Sequence, residues 1–142
     1  MIQKIKGKKY LINGGLGMIG STIATILVKA GAEVTIVDAM IKPYGANLFN
    51  IEKIKDQVKI RIFDIKNIKD MKKEIENKDV ILNLAGQIAH NDSIINPLYD
   101  AKLNYLYQLS IMECIKQVNP DAKVIFSGSR LQFGKIENIP VD

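Results

Sequence analysis

Three glycines, Gly14, Gly17 and Gly20, stand between an apolar run, Tyr10-Leu11-Ile12, and an amphipathic stretch running from Ser21 to Lys29. A strand, a glycine-rich turn and a helix N-terminus in that order leave few α/β folds open to the chain. Gly14 lets the first strand turn sharply, Gly17 lets backbone come close to a ligand, and Gly20 lets the helix pack on the sheet. The amides of the first helical turn, near Met18 and Ile19, then lie at the positive end of the helix dipole and suit a pyrophosphate. On spacing alone, an ordinary glycine turn in some α/β protein competes with this reading.

The context after the helix narrows it. Gly31-Ala32 leads into a second strand, Glu33-Val34-Thr35-Ile36-Val37, which closes on Asp38. An acidic residue at that strand tip, about 20 residues beyond the glycines, is where a dinucleotide's ribose diol is held. A carboxylate accepts from both hydroxyls of NAD and repels the 2′-phosphate of NADP, so NAD is the expected cofactor. A plain strand-end cap is the alternative role for Asp38.

Strand-like and helix-like segments alternate along the rest of the chain, predicting a Rossmann-type α/β fold, a doubly wound parallel sheet with both faces covered. Strands are expected over 8–13, 33–38, 58–63, 80–84 and 123–126, and helices over 18–29, 68–77 and 97–118, with one short helical turn over 51–55. Residues 39–50 and 85–96 read as loops, the second carrying the only histidine, His90. Pro97 starts the long helix and Asn119-Pro120 ends it. The strand ends carry the glycine turn, Asp38, Asp64, Leu84-Ala85-Gly86 and Ser127 with Ser129. In an open parallel sheet that edge is where ligands lie.

The 142 residues and 47% apolar content suit one domain with a sizeable core. No signal peptide and no apolar run of about 20 residues stands out, so no membrane partner is expected. The single cysteine, Cys114, permits no internal disulfide, suits a reducing cytoplasm and falls in a helical pattern as an inert core thiol. The net charge of +5 is scattered over lysines without aromatic interleaving, which gives nucleic-acid binding little support. Attraction of an anionic nucleotide is a second reading of that charge, and a lysine-dressed surface is the preferred one. One histidine and one cysteine disfavour metal catalysis, and Ser21 after Gly20 disfavours a P-loop.

These motifs together resemble the extended short-chain dehydrogenase/reductase family, in particular its NAD-dependent sugar-nucleotide epimerases and dehydratases. Residues 13–20 resemble the family's T-G-G-x-G-F-I-G turn, with Asn13 for Thr and Met18 for the aromatic. The resemblance implies that the Met18 and Ile19 amides bind the pyrophosphate and that Asp38 binds the adenosine ribose. It implies that Asp64 and the backbone of Ile65 meet the adenine, with a simple strand-end role as the rival for Asp64. Asn83-Leu84-Ala85-Gly86-Gln87 is similar to H-L-A-A-Q, which runs beside the nicotinamide ribose. The rival there is close strand–helix packing. Asn104 matches the asparagine of N-V-x-G-T, implied to organise backbone and water beside the active site. A satisfied structural amide is its alternative. Ser129 falls on the serine or threonine that holds the sugar hydroxyl to be oxidised, while Phe133 replaces the tyrosine of V-Y-G. His90 is expected to lie as a loop side chain over the cofactor edge, and Arg130 to reach a phosphate or stay in an exposed loop.

The family's general base is the tyrosine of Y-x-x-x-K. The tyrosines here, at 10, 44, 99, 105 and 107, are followed four residues on by Gly14, Leu48, Leu103, Leu109 and Ile111. The resemblance therefore implies the N-terminal part of such an enzyme, a fold truncated after about the fifth strand and lacking the C-terminal sugar-nucleotide domain. The expected function is NAD binding for transient oxidation of a sugar hydroxyl on a nucleoside-diphosphate sugar, with no turnover by this polypeptide alone. An apolar edge at the fifth strand and a homodimer through the helix from Pro97 to Val118 are further expectations. A non-catalytic NAD-binding regulatory module and an NAD-dependent dehydrogenase or reductase with a non-sugar substrate are the alternatives.

Overall fold

A computed structural model describes residues 2–42 and 44–129. The elements run β1 (Lys9–Asn13), α1 (Met18–Lys29), β2 (Glu33–Asp38), a 3-10 run (Leu48–Gln57), β3 (Val58–Ile62), α2 (Ile68–Ile75), β4 (Val80–Asn83), α3 (His90–Ile95), α4 (Pro97–Ala101), a π turn (Lys102–Leu106), α5 (Tyr107–Val118) and β5 (Lys123–Phe126). A short 3-10 turn, Ile2–Lys4, precedes them. All strand pairs are parallel, in the order β3-β2-β1-β4-β5. Sequence order therefore reverses between β1 and β4, and the crevice between their carboxyl ends is the switch point of a doubly wound sheet.

Alternation along β1 divides the core in two. Tyr10 and Ile12 face one side, where Ala24 and Leu27 of α1 and Ile51 and Ile54 of the 3-10 run cover them. Leu11 faces the other, under Met71 and Ile75 of α2 and Ile111, Cys114 and Ile115 of α5. The period of two in a strand puts consecutive side chains on opposite faces, so a central strand buried twice reads as a continuous apolar run. The buried pair Ile51 and Ile54 lies one three-residue turn apart, the spacing a 3-10 helix aligns. That run is longer than the single turn its sequence suggests. Asn47 starts it by accepting the Phe49 amide at 2.9 Å.

Two further departures concern the second half. The segment expected as a loop over 85–96 holds the short helix α3. The expected helix over 97–118 is interrupted by the π turn at Lys102–Leu106. The fifth strand pairs only with β4 among the described residues, and its Ile125 and Phe126 are 45% and 55% exposed. Cys114 is buried and free, and burial pushes its thiol pKa up.

The tightest joint is where the two halves of the sheet meet. Gly14 has φ +75, and a Cβ there would stand 2.9 Å from the Cα and N of Ala85, just beyond β4. Gly14→Ala should cost at least about 2 kcal/mol, combining left-handed strain with a backbone clash. Gly7, with φ +74 and open space around its Cβ position, should lose only about 1 kcal/mol on the same change. Urea unfolding of the two variants checks the difference.

Candidate functional site

The site grows from the end of β1. Gly14 turns the chain, its amide donating to the Val37 carbonyl at 2.8 Å. Gly20 then packs the first turn of α1 back on this turn, for a Cβ on it would lie 2.5 Å from the Gly14 carbonyl oxygen. Gly20 therefore tightens the turn itself, where the sequence suggested contact with the sheet. Gly17 is different: its φ is −73, and its nearest protein atom would be 3.5 Å from an added Cβ. Protein packing does not require a glycine there. Among the described residues no side chain caps α1, so its first amides have no side-chain acceptor there. Met18 and Ile19 hold their side chains 78% and 58% exposed beside them.

Asp38 ends β2 and is 8% exposed. Its Oδ2 accepts the Leu16 amide at 3.0 Å and its Oδ1 the Met40 amide at 2.8 Å. The carboxylate thus braces the glycine turn and holds Met40 in the left-handed region at φ 49. Strain of that kind in a bulky residue marks a segment fixed by its surroundings. Asp64, after β3, accepts the Lys66 amide at 3.0 Å and pairs with its ammonium at 3.2 Å. Ile65 beside it is buried in the α2–α5 core.

On the other side of β1, a chain of buried amides ties the sheet to the helices. Asn13 Nδ2 donates to Asn83 Oδ1 at 3.2 Å, and Asn83 Nδ2 donates to Gln108 Oε1. Gln108 Nε2 then donates to the Ala85 carbonyl at 2.8 Å and the Leu103 carbonyl at 2.9 Å. Asn13 Oδ1 is buried with no hydrogen-bond partner among the described residues. Leu84 and Ala85 are half-buried, one in each core, and Gly86 is exposed.

Asn104, in the π turn, accepts the Gln87 amide at 2.8 Å and donates to the Gln87 carbonyl at 2.9 Å. It also donates to Asp100 Oδ1 at 2.9 Å. A Cβ on Gly86 would lie 2.9 Å from Asn104 Oδ1, so this clamp needs the glycine. Gln87 is buried, and its side-chain amide holds both backbone groups of Ala89. Beyond this clamp lies a cavity of about 320 Å³, lined by Gln87, Ile88, Ala89, His90, Ser93, Asp100, Asn104 and Ser129. Ser129 and His90 therefore share one polar recess. Arg130 and Phe133 lie outside the described residues.

Residues 11–142 match the family described as GDP-mannose 4,6 dehydratase. The chain belongs to that family. It is 32% identical to a putative UDP-glucose 4-epimerase of Methanocaldococcus jannaschii over 134 residues, 93% of this chain and 42% of the relative. The epimerase Mth375 of Methanothermobacter thermautotrophicus superposes with a TM-score of 0.88 at 28% identity, covering 99% of this chain and 41% of that one. A UDP-glucose 4-epimerase of Bifidobacterium longum, solved with NAD⁺ and UDP, superposes with a TM-score of 0.83 at 25% identity, over 94% of this chain and 41% of that one. The chain thus spans about two fifths of the length of the proteins it matches.

In this family member, several residues that shape the site are absent from the motif reading. Gly15 leaves room for Ile36, whose Cγ2 would stand 2.6 Å from an added Cβ. Asn50 Nδ2 donates to the Leu16 carbonyl at 2.7 Å and pins the β2 connection to the glycine turn. Gln108 lies three residues before Ile111 and seven before Ile115, on the buried stripe of its helix. That spacing was a visible signal, as were two asparagines closing two otherwise apolar strands.

Asn104→Ala removes both hydrogen bonds from the Gln87 backbone. Exchange of the Gln87 amide proton should then quicken about tenfold or more, at roughly 1 kcal/mol for each bond lost. Amides of β1 should keep their protection, which residue-resolved hydrogen exchange checks.

Proposed function

We propose that this chain is the NAD-binding portion of a sugar-nucleotide epimerase or dehydratase. The observation that carries the reading is the N-terminus of α1 behind Gly17, uncapped by any side chain among the described residues, where an added Cβ would meet only the Gly14 carbonyl oxygen, at 3.5 Å. Membership of the GDP-mannose 4,6 dehydratase family supports it, as does the NAD⁺ in the solved Bifidobacterium longum relative.

Gly14, Gly17 and Gly20 shape the turn, and the Met18 and Ile19 amides hold the pyrophosphate. Asp38 takes the adenosine ribose with the lone pairs left by its two backbone bonds, and its charge opposes a 2′-phosphate. Asp64 and the backbone of Ile65 meet the adenine. Leu84, Ala85, Gly86 and Gln87 form the wall beside the nicotinamide ribose, and Asn104 fixes that wall through the Gln87 backbone. NAD⁺, when bound, supplies a two-electron acceptor for a sugar carbinol. Ser129 is the catalytic residue assigned here, holding the reacting hydroxyl in the cavity it shares with Gln87 and Asn104.

The substrate class is a nucleoside-diphosphate sugar. No tyrosine of the chain has a lysine four residues on, so we assign these residues cofactor binding and not turnover by themselves. A homodimer through residues 97–118 is the partner reading, supported by Leu98, Leu106 and Leu109, which are 76%, 47% and 50% exposed. Among the described residues no helix is long and apolar enough to cross a membrane, and no cluster of three metal-ligating side chains occurs. The lone cysteine suits a reducing cytoplasm.

Calorimetric titration tests the assignment. NAD⁺ should bind at least about tenfold more tightly than NADP⁺, a difference of roughly 1.4 kcal/mol. Gly17→Ala should weaken NAD⁺ by a similar factor of about ten while leaving the unfolding midpoint unchanged. Equal affinity for the two dinucleotides, or an indifferent Gly17→Ala, would sink the assignment.

A further inference from the structure

Tyr44 Oη donates to Asp92 Oδ2 at 2.9 Å. Tyr44 lies in the connection that leaves β2, and Asp92 lies in α3, which follows β4. β2 and β4 are the two neighbours of β1, one on each side. Two strand spacings separate them, about 10 Å. A side-chain contact between these two connections therefore joins the two sides of β1 at the carboxyl edge of the sheet.

Each half of the bridge is anchored to the site it spans. On the β2 side, the Asn47 amide donates to the Leu16 carbonyl at 3.1 Å, and Asn50 Nδ2 donates to the same oxygen at 2.7 Å. On the β4 side, Asn104 grips the Gln87 backbone, Gln87 grips Ala89, and the Ser93 amide donates to the Ala89 carbonyl at 3.2 Å. Between these anchors stand one phenol and one carboxylate, both half-buried. The hydrogen bond to Asp92 is the first cause holding the Tyr44 phenol above its ordinary pKa, which keeps the proton on Oη as donor.

We propose that the Tyr44–Asp92 pair is a clasp across the dinucleotide cleft that gates uptake and release of the cofactor. It rests on the reading of this cleft as the NAD site. A single hydrogen bond at a half-exposed position can open without disturbing either core, and its two halves reclose because each is fixed to the strand edge beneath it. The device fits a reaction in which the cofactor ends each cycle as it began, since such a cofactor has no need to leave between turnovers.

The gate is measured by stopped-flow NADH fluorescence on the 142-residue chain and on Tyr44→Phe, Asp92→Ala and the double variant. Each single variant should raise both the association and the release rate about fivefold, the factor expected from one ordinary hydrogen bond. Affinity should change by less than about twofold, because both rates move together. The double variant should be no faster than either single one, and unfolding midpoints should stay in place, since Tyr44→Phe keeps the ring. Four equal sets of rates overturn the clasp alone. A weaker affinity at an unchanged association rate also overturns it, making the pair a plain contact. No NADH binding by the unaltered chain overturns the cofactor assignment and the clasp together.

Discussion

Everything at the carboxyl edge depends on how little room there is between the end of β1 and the segment leaving β4. Gly14 and Ala85 meet with no space for one more carbon, and Gly20 meets Gly14 in the same way. Close contact is possible because two backbones touch without intervening side chains. The consequence is geometric. α1 is drawn back over the end of its own strand, so its N-terminus stands at the carboxyl edge where the sheet reverses order. A wider joint would leave the same residues in the sequence and aim the helix elsewhere.

Such a joint buries polar backbone, and the amide chain from Asn13 through Asn83 to Gln108 serves that need. Gln108 answers two carbonyls at once, Ala85 in the site wall and Leu103 in the π turn. The π turn in turn rotates Asn104 toward the Gln87 backbone while Gln108 stays buried below it. An unbroken α-helix has no such extra residue to place, which is why π turns collect beside functional sites. Core, turn and site wall are therefore one hydrogen-bonded unit, and Asn13 Oδ1, without a partner among the described residues, is its open end.

The sheet was legible because strands buried on both faces are spelled in apolar runs, and β1, β2 and β4 are such runs. The glycine spacing and the acid at the end of β2 were legible because each obeys a local rule of turn and charge. Asp38 shows where that kind of reading stops. Its place at a strand tip points to a ribose, yet its two bonds to Leu16 and Met40 are made by chain folding back from either side. No spacing rule encodes that return. Helix α3 was missed for a related reason: it is six residues long with no buried side chain, so it carries no periodic stripe to detect. The π turn keeps the apolar rhythm of the helix around it and differs only in hydrogen bonding. Asn104 and Gln87 were found by resemblance, but their mutual grip is a fact of three dimensions.

Part of the surplus of lysine has a definite place in the fold. Lys8, Lys9, Lys78 and Lys123, with Asp79 and Asp121 among them, surround a shallow depression of about 610 Å³ at the amino end of the sheet, the end away from the glycine turn. The C-terminal ends of α2 and α5 converge on the same end, where Asn119 Nδ2 donates to the Ile75 and Lys78 carbonyls at 2.9 Å. Cations placed there offset the negative ends of helix dipoles. At the carboxyl edge Lys66 is already paired with Asp64. Oriented amides such as those that open α1 carry partial charges that act at contact range and are little screened by salt. Lysines at the far end act at long range through solvent and add little selectivity. Those four lysines thus stand with the helix ends at the amino edge, while the glycine turn presents oriented backbone at the carboxyl edge.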